Sequence, residues 1–536
     1  MRKLRCAILL ILLLMYLSSI HALNDMPLLA QLQGEHNMSD FGYSMVSLDF
    51  NHDGYDDLVV FSMAYGYQYQ QSPSRGKVYI YFGGPGFSST SEPAMTLEGD
   101  YPDGNQRRIS SIRNVGDVNG DGFDDLLIRD LIPGPTGFWV EGSIRLMFFF
   151  GGTSDLSSPD RIECLEPDET LFNMFALGDV DGDGFGDIGI CCYTHYYYYF
   201  DIMWGGSFTR QNILSLDFSN PSQDGALIGI GDINGDGYDD FSIGYLGEEQ
   251  GVVRYSTIRI YYGNSSRVFN DYTLLVDTPI SITRKCIALG DLNNDGFDDF
   301  MGYVDSRGMN VWYGTDTGII PEPDISLNPQ LFGNVQIRGL KHGDFNGDGF
   351  SDVIGAAYQG RRFAIWIGSE NMDGFADWQK VNALENFGYD VAVGDFNGDG
   401  CDDIAISAPF EQGSWPYHDF RGYVLVYAGN PGLVANDDTI APPLTDQLHM
   451  SLSPNPVRTN KEITISLSGL KKNGRMPITI EIFNIKGQVV YHTEDNNMAT
   501  GELVRSVNLS HYASGLYLCR AKAGDHTTIK KFTIIK

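Results

Sequence analysis

Three things are scarce in this 536-residue sequence: cysteine, positive charge and long apolar runs. Of seven cysteines, Cys6 lies in the N-terminal segment. Cys164, Cys191, Cys192, Cys286, Cys401 and Cys519 have neither metal-ligand spacing nor the density of a disulfide scaffold. They read as isolated thiols, with pairing left open. Lysine and arginine number 36 against 69 acids, a formal net charge of −33. A body this acidic repels phosphate backbones, which argues against a nucleic-acid partner. The apolar run from Ala7 to Leu17 is too short and wrongly flanked for a membrane span. With Arg2, Lys3 and Arg5 before it and Ile20-His21-Ala22 behind, it reads as a signal peptide over residues 1–22. The mature chain is therefore expected to be exported without a transmembrane anchor. Also missing are HExxH, a P-loop, a GxSxG elbow and any recognisable Cys–His pair, so no catalytic residue is assigned.

Glycine, at 63 residues, and aromatics, at 12%, are plentiful. Tight turns joining short aromatic strands produce that mixture, which points to an all-β fold. Charge is uneven: residues 1–22 carry +3 and residues 449–536 carry +6, leaving −42 between them. The acids of that middle region follow a pattern. DFNHDGYDDL from Asp49 returns in related form from Asp117, Asp179, Asp232, Asp291, Asp344 and Asp395, at intervals of 51 to 68 residues. These seven loops hold 27 of the region's 63 acids. The interval suits one four-stranded unit per copy, and seven units fall within the range of β-propellers.

Residue types at fixed places in each loop point to calcium, a hard cation that takes six to eight oxygens in flexible geometry. Side chains at positions 1, 3, 5 and 9 supply oxygens. In the first three copies these are Asp49, Asn51, Asp53 and Asp57; Asp117, Asn119, Asp121 and Asp125; and Asp179, Asp181, Asp183 and Asp187. The next two provide Asp232, Asn234, Asp236 and Asp240, then Asp291, Asn293, Asp295 and Asp299. Asp344, Asn346, Asp348 and Asp352 follow, with Asp395, Asn397, Asp399 and Asp403 last. Position 6 is glycine throughout, as a sharp turn with positive φ requires. Position 7 offers its carbonyl, and its Phe, Tyr or Cys side chain is expected in the core. Magnesium, which demands strict octahedral geometry, fits less well. An EF-hand is excluded because position 12 is Val60, Ile128, Ile190, Ile243, Gly302, Gly355 or Ile406 where that loop needs Glu. Up to seven structural calcium ions are expected.

A short apolar strand precedes each loop, and a third strand closes on an aromatic segment and Gly, as in Lys77-Val78-Tyr79-Ile80-Tyr81-Phe82-Gly83. Phe387-Gly388-Tyr389, the loop and Ser407-Ala408-Pro409, with Phe41-Gly42-Tyr43 opening the first copy, resemble the FG-GAP repeats of integrin-α-like propellers. The resemblance covers residues 38–430 and implies a seven-bladed propeller closed by pairing of its two chain ends. The middle copies lack the Phe-Gly pair and keep only the loop and strands.

Residues 431–448 read as a linker between a propeller over 23–430 and a basic module over 449–536. Alternating segments such as Ile463-Thr464-Ile465-Ser466-Leu467 suggest roughly seven strands in a small immunoglobulin-like β-sandwich. Ser453-Pro454-Asn455-Pro456, Ile482-Phe483-Asn484-Ile485-Lys486-Gly487-Gln488 and Ala513-Ser514-Gly515-Leu516-Tyr517 resemble the C-terminal sorting domains of type IX secretion. That resemblance implies the secretion machinery as a partner and a final place outside the cell.

The favoured function is a secreted or surface-displayed binding or adhesion scaffold for a glycan or protein. The alternative is a polysaccharide lyase or hydrolase with its site on the propeller face. Inserts after the strand that follows each loop must emerge on the rim opposite the loops. Candidate ligand residues there are Tyr67, Trp139, Tyr197, Arg307, Arg361, Trp415 and Tyr417, suited to an acidic glycan or protein segment.

Overall fold

The computed structural model describes residues 26–435 and 449–535 except 36–38, 65–74, 100–107, 133–142, 153–155, 166–168, 195–196, 218–224, 250–252, 279–285, 304–308, 329–336, 371, 410–420, 454–456, 459–461, 469–477, 485, 487, 496–502 and 524–525. The expected signal peptide, residues 1–22, and most of the expected linker, residues 431–448, lie outside those residues. The chain is all-β; among the described residues the one helical element is a 3-10 turn at Tyr358–Gly360. Contacts divide it into two compact units, Met1–Asp437 and Asp438–Lys536. No helix among the described residues is long and apolar enough to cross a membrane.

Among its described residues the first unit contains seven four-stranded antiparallel sheets. Six are built from consecutive strands. The seventh takes its outer strand, Leu28–Gln33, from the start of the unit and pairs it with Tyr423–Tyr427. The first strands run Phe41–Leu48, Arg108–Asn114, Thr170–Gly178, Ala226–Gly231, Cys286–Gly290, Gly339–Gly343 and Val391–Gly394. Each touches the next, and the last touches the first, so the series closes on itself.

Burial explains the sequence pattern. Second strands such as Asp57–Ser62, Asp352–Ala357 and Asp403–Ala408 are buried along their whole length because another sheet covers each face. Fourth strands such as Met95–Glu98 and Trp378–Val381 alternate between half-buried and exposed. Adjacent sheets share buried clusters: Val59, Phe61 and Ile80 of the first meet Ile112, Ile128 and Phe149 of the second. A corresponding cluster joins Phe41, Met45 and Val60 of the first to Ala405, Val424 and Val426 of the seventh. Six cysteines are free thiols, with Cys164 exposed and the others buried.

Among its described residues the second unit has eight strands in two sheets. One holds His449–Ser453, Glu462–Ser468 and Leu503–Asn508; the other holds Val457–Arg458, Ile478–Asn484, Val489–Asp495, Gly515–Ala523 and His526–Ile535. Both contribute to one core, with Ile463, Ile465 and Val507 packed among Ile480, Ile482, Cys519 and Phe532.

Candidate functional site

Each acidic loop joins the first strand of its sheet to the second. Two left-handed residues bend it. Position 6 glycines have φ between +86° and +92°, and position 4 is also left-handed, at His52 and Asn294 as well as at five glycines. The bend turns backbone N–H groups onto the acids. In the first loop Asp49 Oδ1 accepts from Asp53 N (3.1 Å) and its Oδ2 from Gly54 N (2.9 Å). Asn51 Oδ1 accepts from Asp53 N (2.9 Å), and Asp53 Oδ1 accepts from Tyr55 N (3.1 Å). The same bonds recur in the second, fourth, fifth and sixth loops. Positions 1, 3 and 5 are thereby held together by the backbone. In the third loop the carboxylates of Asp179, Asp181 and Asp183 have oxygens within 4.8 Å of one another.

Position 9 behaves differently. Asp57, Asp125, Asp187, Asp240, Asp299, Asp352 and Asp403 are all at most 1% exposed. Oδ1 of each accepts an N–H from the glycine that closes the third strand, at 2.8–2.9 Å. A Cβ at Gly83 would lie 2.3 Å from the Asp56 carbonyl oxygen, so the aromatic-then-Gly signature is a close approach to the loop. Burial, then repulsion from acids of the same loop (positions 5 and 1, or 3 and 5 around Asp187), pushes these carboxyls up to about 7 to 8 despite the backbone donors.

The donor set fits a hard cation. Positions 1, 3, 5 and 9 bring three carboxylates and an amide oxygen into each of six loops, and four carboxylates into the third. In the seventh loop Asp403 Oδ2 is buried with no hydrogen-bond partner. A cation would supply what that oxygen lacks and would favour the ionised form of a carboxyl otherwise raised to about 7.

Two positions were read incompletely or wrongly from sequence. Position 7 enters the core only as Cys401, which is buried; Phe123, Phe185 and Tyr238 are half-buried instead and lie over position 4 of the preceding loop. The Phe123 ring sits 3.9 Å from His52. A Cβ at Gly120 would come within 2.6 Å of Phe185, and one at Gly182 within 2.6 Å of Tyr238. Position 8 ties loops together. Asp239, Asp298 and Asp402 Oδ2 accept from the position 1 N–H groups of Asp179, Asp232 and Asp344, at 2.7, 3.0 and 2.8 Å. Asp56 accepts in the same way from Asp395 N (2.9 Å), the fourth such bond, whereas Asp124 accepts from Asn114 Nδ2 (2.9 Å). This explains the glycine before position 1, since a Cβ at Gly178 would lie 2.0 Å from Asp239 Oδ2. Aspartate at position 8 in five of seven copies was the available signal.

The third loop alone has Asp, not Asn, at position 3. Elsewhere, in the first, second, fourth, fifth and sixth loops, the Asn amide donates to the second oxygen of position 5. Asp181 has no such donor. Arg267, from the next sheet, reaches over instead: Nε donates to Asp181 Oδ2 and Nη2 to Asp183 Oδ2 (3.0 Å). Its guanidinium lies 4.4 Å from the Trp204 ring centroid, and Gln211 Nε2 holds its carbonyl at 2.8 Å. A second acidic group, Glu169, Cys192 and Asp201, is likewise filled by a guanidinium: Arg210 donates to all three at 2.8, 3.4 and 2.5 Å.

Of the expected ligand residues, Tyr67, Trp139, Arg307, Trp415 and Tyr417 lie outside the described residues. Tyr197 is exposed and 6.1 Å from the Tyr199 ring. Arg361 donates to Glu385 Oε1 (3.4 Å) and to the Ala383 carbonyl (3.2 Å). His342 is a packing residue: burial pulls its imidazole down to about 4, and Nδ1 meets Ser351 Oγ at 3.2 Å.

Comparison with known proteins agrees with the repeats. The FG-GAP repeat family matches residues 41–81 and 387–427, and the FG-GAP-like repeat family matches 344–406. The secretion system C-terminal sorting domain matches 451–536. Mouse integrin alpha-IIb is 30% identical over 172 residues, which is 31% of this chain and 16% of its own. Mouse phosphatidylinositol-glycan-specific phospholipase D is 32% identical over 154 residues, 28% of this chain and 18% of its own. The chain thus spans less than a fifth of these relatives. A solved structure described as PorZ, an essential surface component of the type-IX secretion system of Porphyromonas gingivalis, aligns over 92% of this chain and 59% of its own, at 15% identity and a TM-score of 0.36. The chain thus carries FG-GAP repeats similar to those of integrin alpha chains and a secretion system C-terminal sorting domain, which marks it for type IX export to the cell surface or extracellular space.

Proposed function

We propose that residues 23–430 form a calcium-stabilised seven-bladed β-propeller that acts outside the cell as a binding or adhesion scaffold. Residues 431–448 link it to an immunoglobulin-like sorting sandwich over 449–536. The observation that carries this reading is the seven-fold recurrence of backbone-organised acid loops at the joints of a closed series of sheets. Calcium joins positions 1, 3, 5 and 9 of a loop, and position 8 carries the resulting order to the neighbouring sheet. Ions therefore stabilise the ring as a whole. The opposite end is left free to contact a glycan or protein. Isothermal titration of the mature chain against surface glycans and surface proteins tests the scaffold reading, which fails if none binds.

The third loop is the exception. Arg267 brings its four carboxylates to the net charge of the other loops and occupies the oxygens left over by the backbone. Replacing Arg267 with Gln is expected to add one calcium site to the chain, counted by native mass spectrometry. In chelator the variant should be less stable than the parent by about 1 kcal/mol, after discounting a half-exposed pair for screening. An unchanged ion count contradicts this role.

A further inference from the structure

The first strands begin at the end of the sheet series opposite the acidic loops. Five residues of the sixth, seventh and first sheets lie there. Arg338 immediately precedes Gly339–Gly343, Tyr358 follows Asp352–Ala357, Tyr389 and Asp390 precede Val391–Gly394, and Tyr43 lies near the start of Phe41–Leu48. The Arg338 guanidinium sits 3.8 Å from the Tyr389 ring centroid and 5.9 Å from that of Tyr358. Tyr389 is 5.5 Å from Tyr43 and 5.8 Å, edge-on, from Tyr358. Tyr389 is buried, whereas Tyr43 and Tyr358 are half-buried and Arg338 is exposed. The stack fixes the guanidinium plane without using its N–H groups. Among the described residues no carboxylate or carbonyl accepts from the Arg338 side chain.

Further in, the charges remain unbalanced. The Lys341 ammonium has no hydrogen-bond or ion-pair partner among the described residues. Water reaches it although protein surrounds it, and burial pulls its pKa down while Asp390 opposes that. Asp390 Oδ2 accepts from Met45 N (2.8 Å). Arg113, on the second sheet, donates through Nε to the Met174 carbonyl (3.1 Å) and through Nη1 to the Ile112 carbonyl (2.8 Å). Asp390, beside the seventh sheet, acts on the ionisation of Lys341 on the sixth sheet and of Arg113 on the second. Lys341 and Arg113 thus share one carboxylate, Asp390, in a chain of net charge −33.

We propose that this mouth binds the carboxylate of a uronic-acid residue in an acidic polysaccharide, with Arg338 as the clamp. A planar, stacked guanidinium with free N–H groups takes a carboxylate in bidentate fashion. Tyr43 and Tyr358 present apolar ring surface beside it, which suits a sugar's C–H face better than the flexible side chain of an acidic peptide. Lys341 lies beneath and relieves its own unpaired charge when an anion enters. The assignment rests on the scaffold reading and names its ligand class.

The test uses the full mature chain in calcium, titrated calorimetrically with short oligomers of galacturonate, glucuronate and mannuronate, with neutral dextran and with polyglutamate. At least one uronate oligomer should bind, dextran should not, and polyglutamate should bind more weakly. Arg338→Met keeps the stem over Tyr389 and should weaken uronate binding about tenfold or more, as expected for one charge-assisted bidentate contact. Lys341→Met should weaken it further, and both variants should keep the parent melting temperature. Uronate binding unaffected by Arg338→Met overturns the site and leaves the scaffold reading standing. Polyglutamate bound more tightly than every uronate, through Arg338, overturns the sugar assignment. Absence of any uronate binding overturns the proposal outright.

Discussion

In excess chelator at pH 8 the repeat unit is expected to lose most of its stability, and added calcium should restore it. A ligand held at ten times its dissociation constant stabilises the folded state by about 1.4 kcal/mol per site. Six such sites contribute roughly 8 kcal/mol, comparable with the whole folding free energy of an ordinary domain. The loss should depend on pH. In the cation-free protein the position 9 carboxyls titrate at about 7 to 8, against an ordinary value of 3.8. Between these values the folded chain holds protons that the unfolded chain has released, so stability falls as pH rises. The contribution is fully present below about pH 4 and gone above about pH 8. Calcium favours the ionised carboxylates and should flatten that slope. Thermal melts across pH 5 to 8, with and without calcium, check both statements. Identical curves in chelator and calcium at pH 8 would falsify a structural role for the ions.

Deleting residues 449–536 should abolish export without unfolding the remainder. The sorting domain covers 451–536, and its core of Ile463, Ile480, Cys519 and Phe532 is separate from the clusters of the first unit. The truncated chain should be found behind the outer membrane in cell fractionation, with the calcium-dependent melting of the parent. Its appearance in the medium at parental levels contradicts the assignment. Fusing 449–536 to an unrelated periplasmic protein should carry that protein out.

How much of this was legible in the sequence depended on where each residue's partner lies. Positions 1, 3, 5 and 6 answer to their own loop, so spacing alone located them. Position 9 was grouped with them as a ligand, but its near-complete burial and its bond to the third-strand glycine bridge about 15 to 26 residues and needed the fold. Position 8 was invisible because its partner is a neighbouring copy; Asp56 reaches Asp395, 339 residues away. Position 7 was misplaced because an aromatic side chain beside a strand suggests core, while its actual seat is the glycine at position 4 of another loop. Arg267 could have been suspected from the lone Asp181 in an otherwise Asn position, but nothing local says which base answers it. Tyr43 and Tyr389 were noted as the ends of two Phe-Gly-Tyr triplets, and their meeting across the seam between first and seventh sheets is a property of ring closure.

The central claim is that the recurring acid loops hold calcium. A crystal structure of the mature chain grown in calcium, with anomalous scattering recorded, tests it loop by loop. Calcium peaks are predicted within reach of positions 1, 3, 5 and 9 in the six loops other than the third, where the Arg267 guanidinium stands instead. Loops that keep the same backbone but contain only water would contradict it.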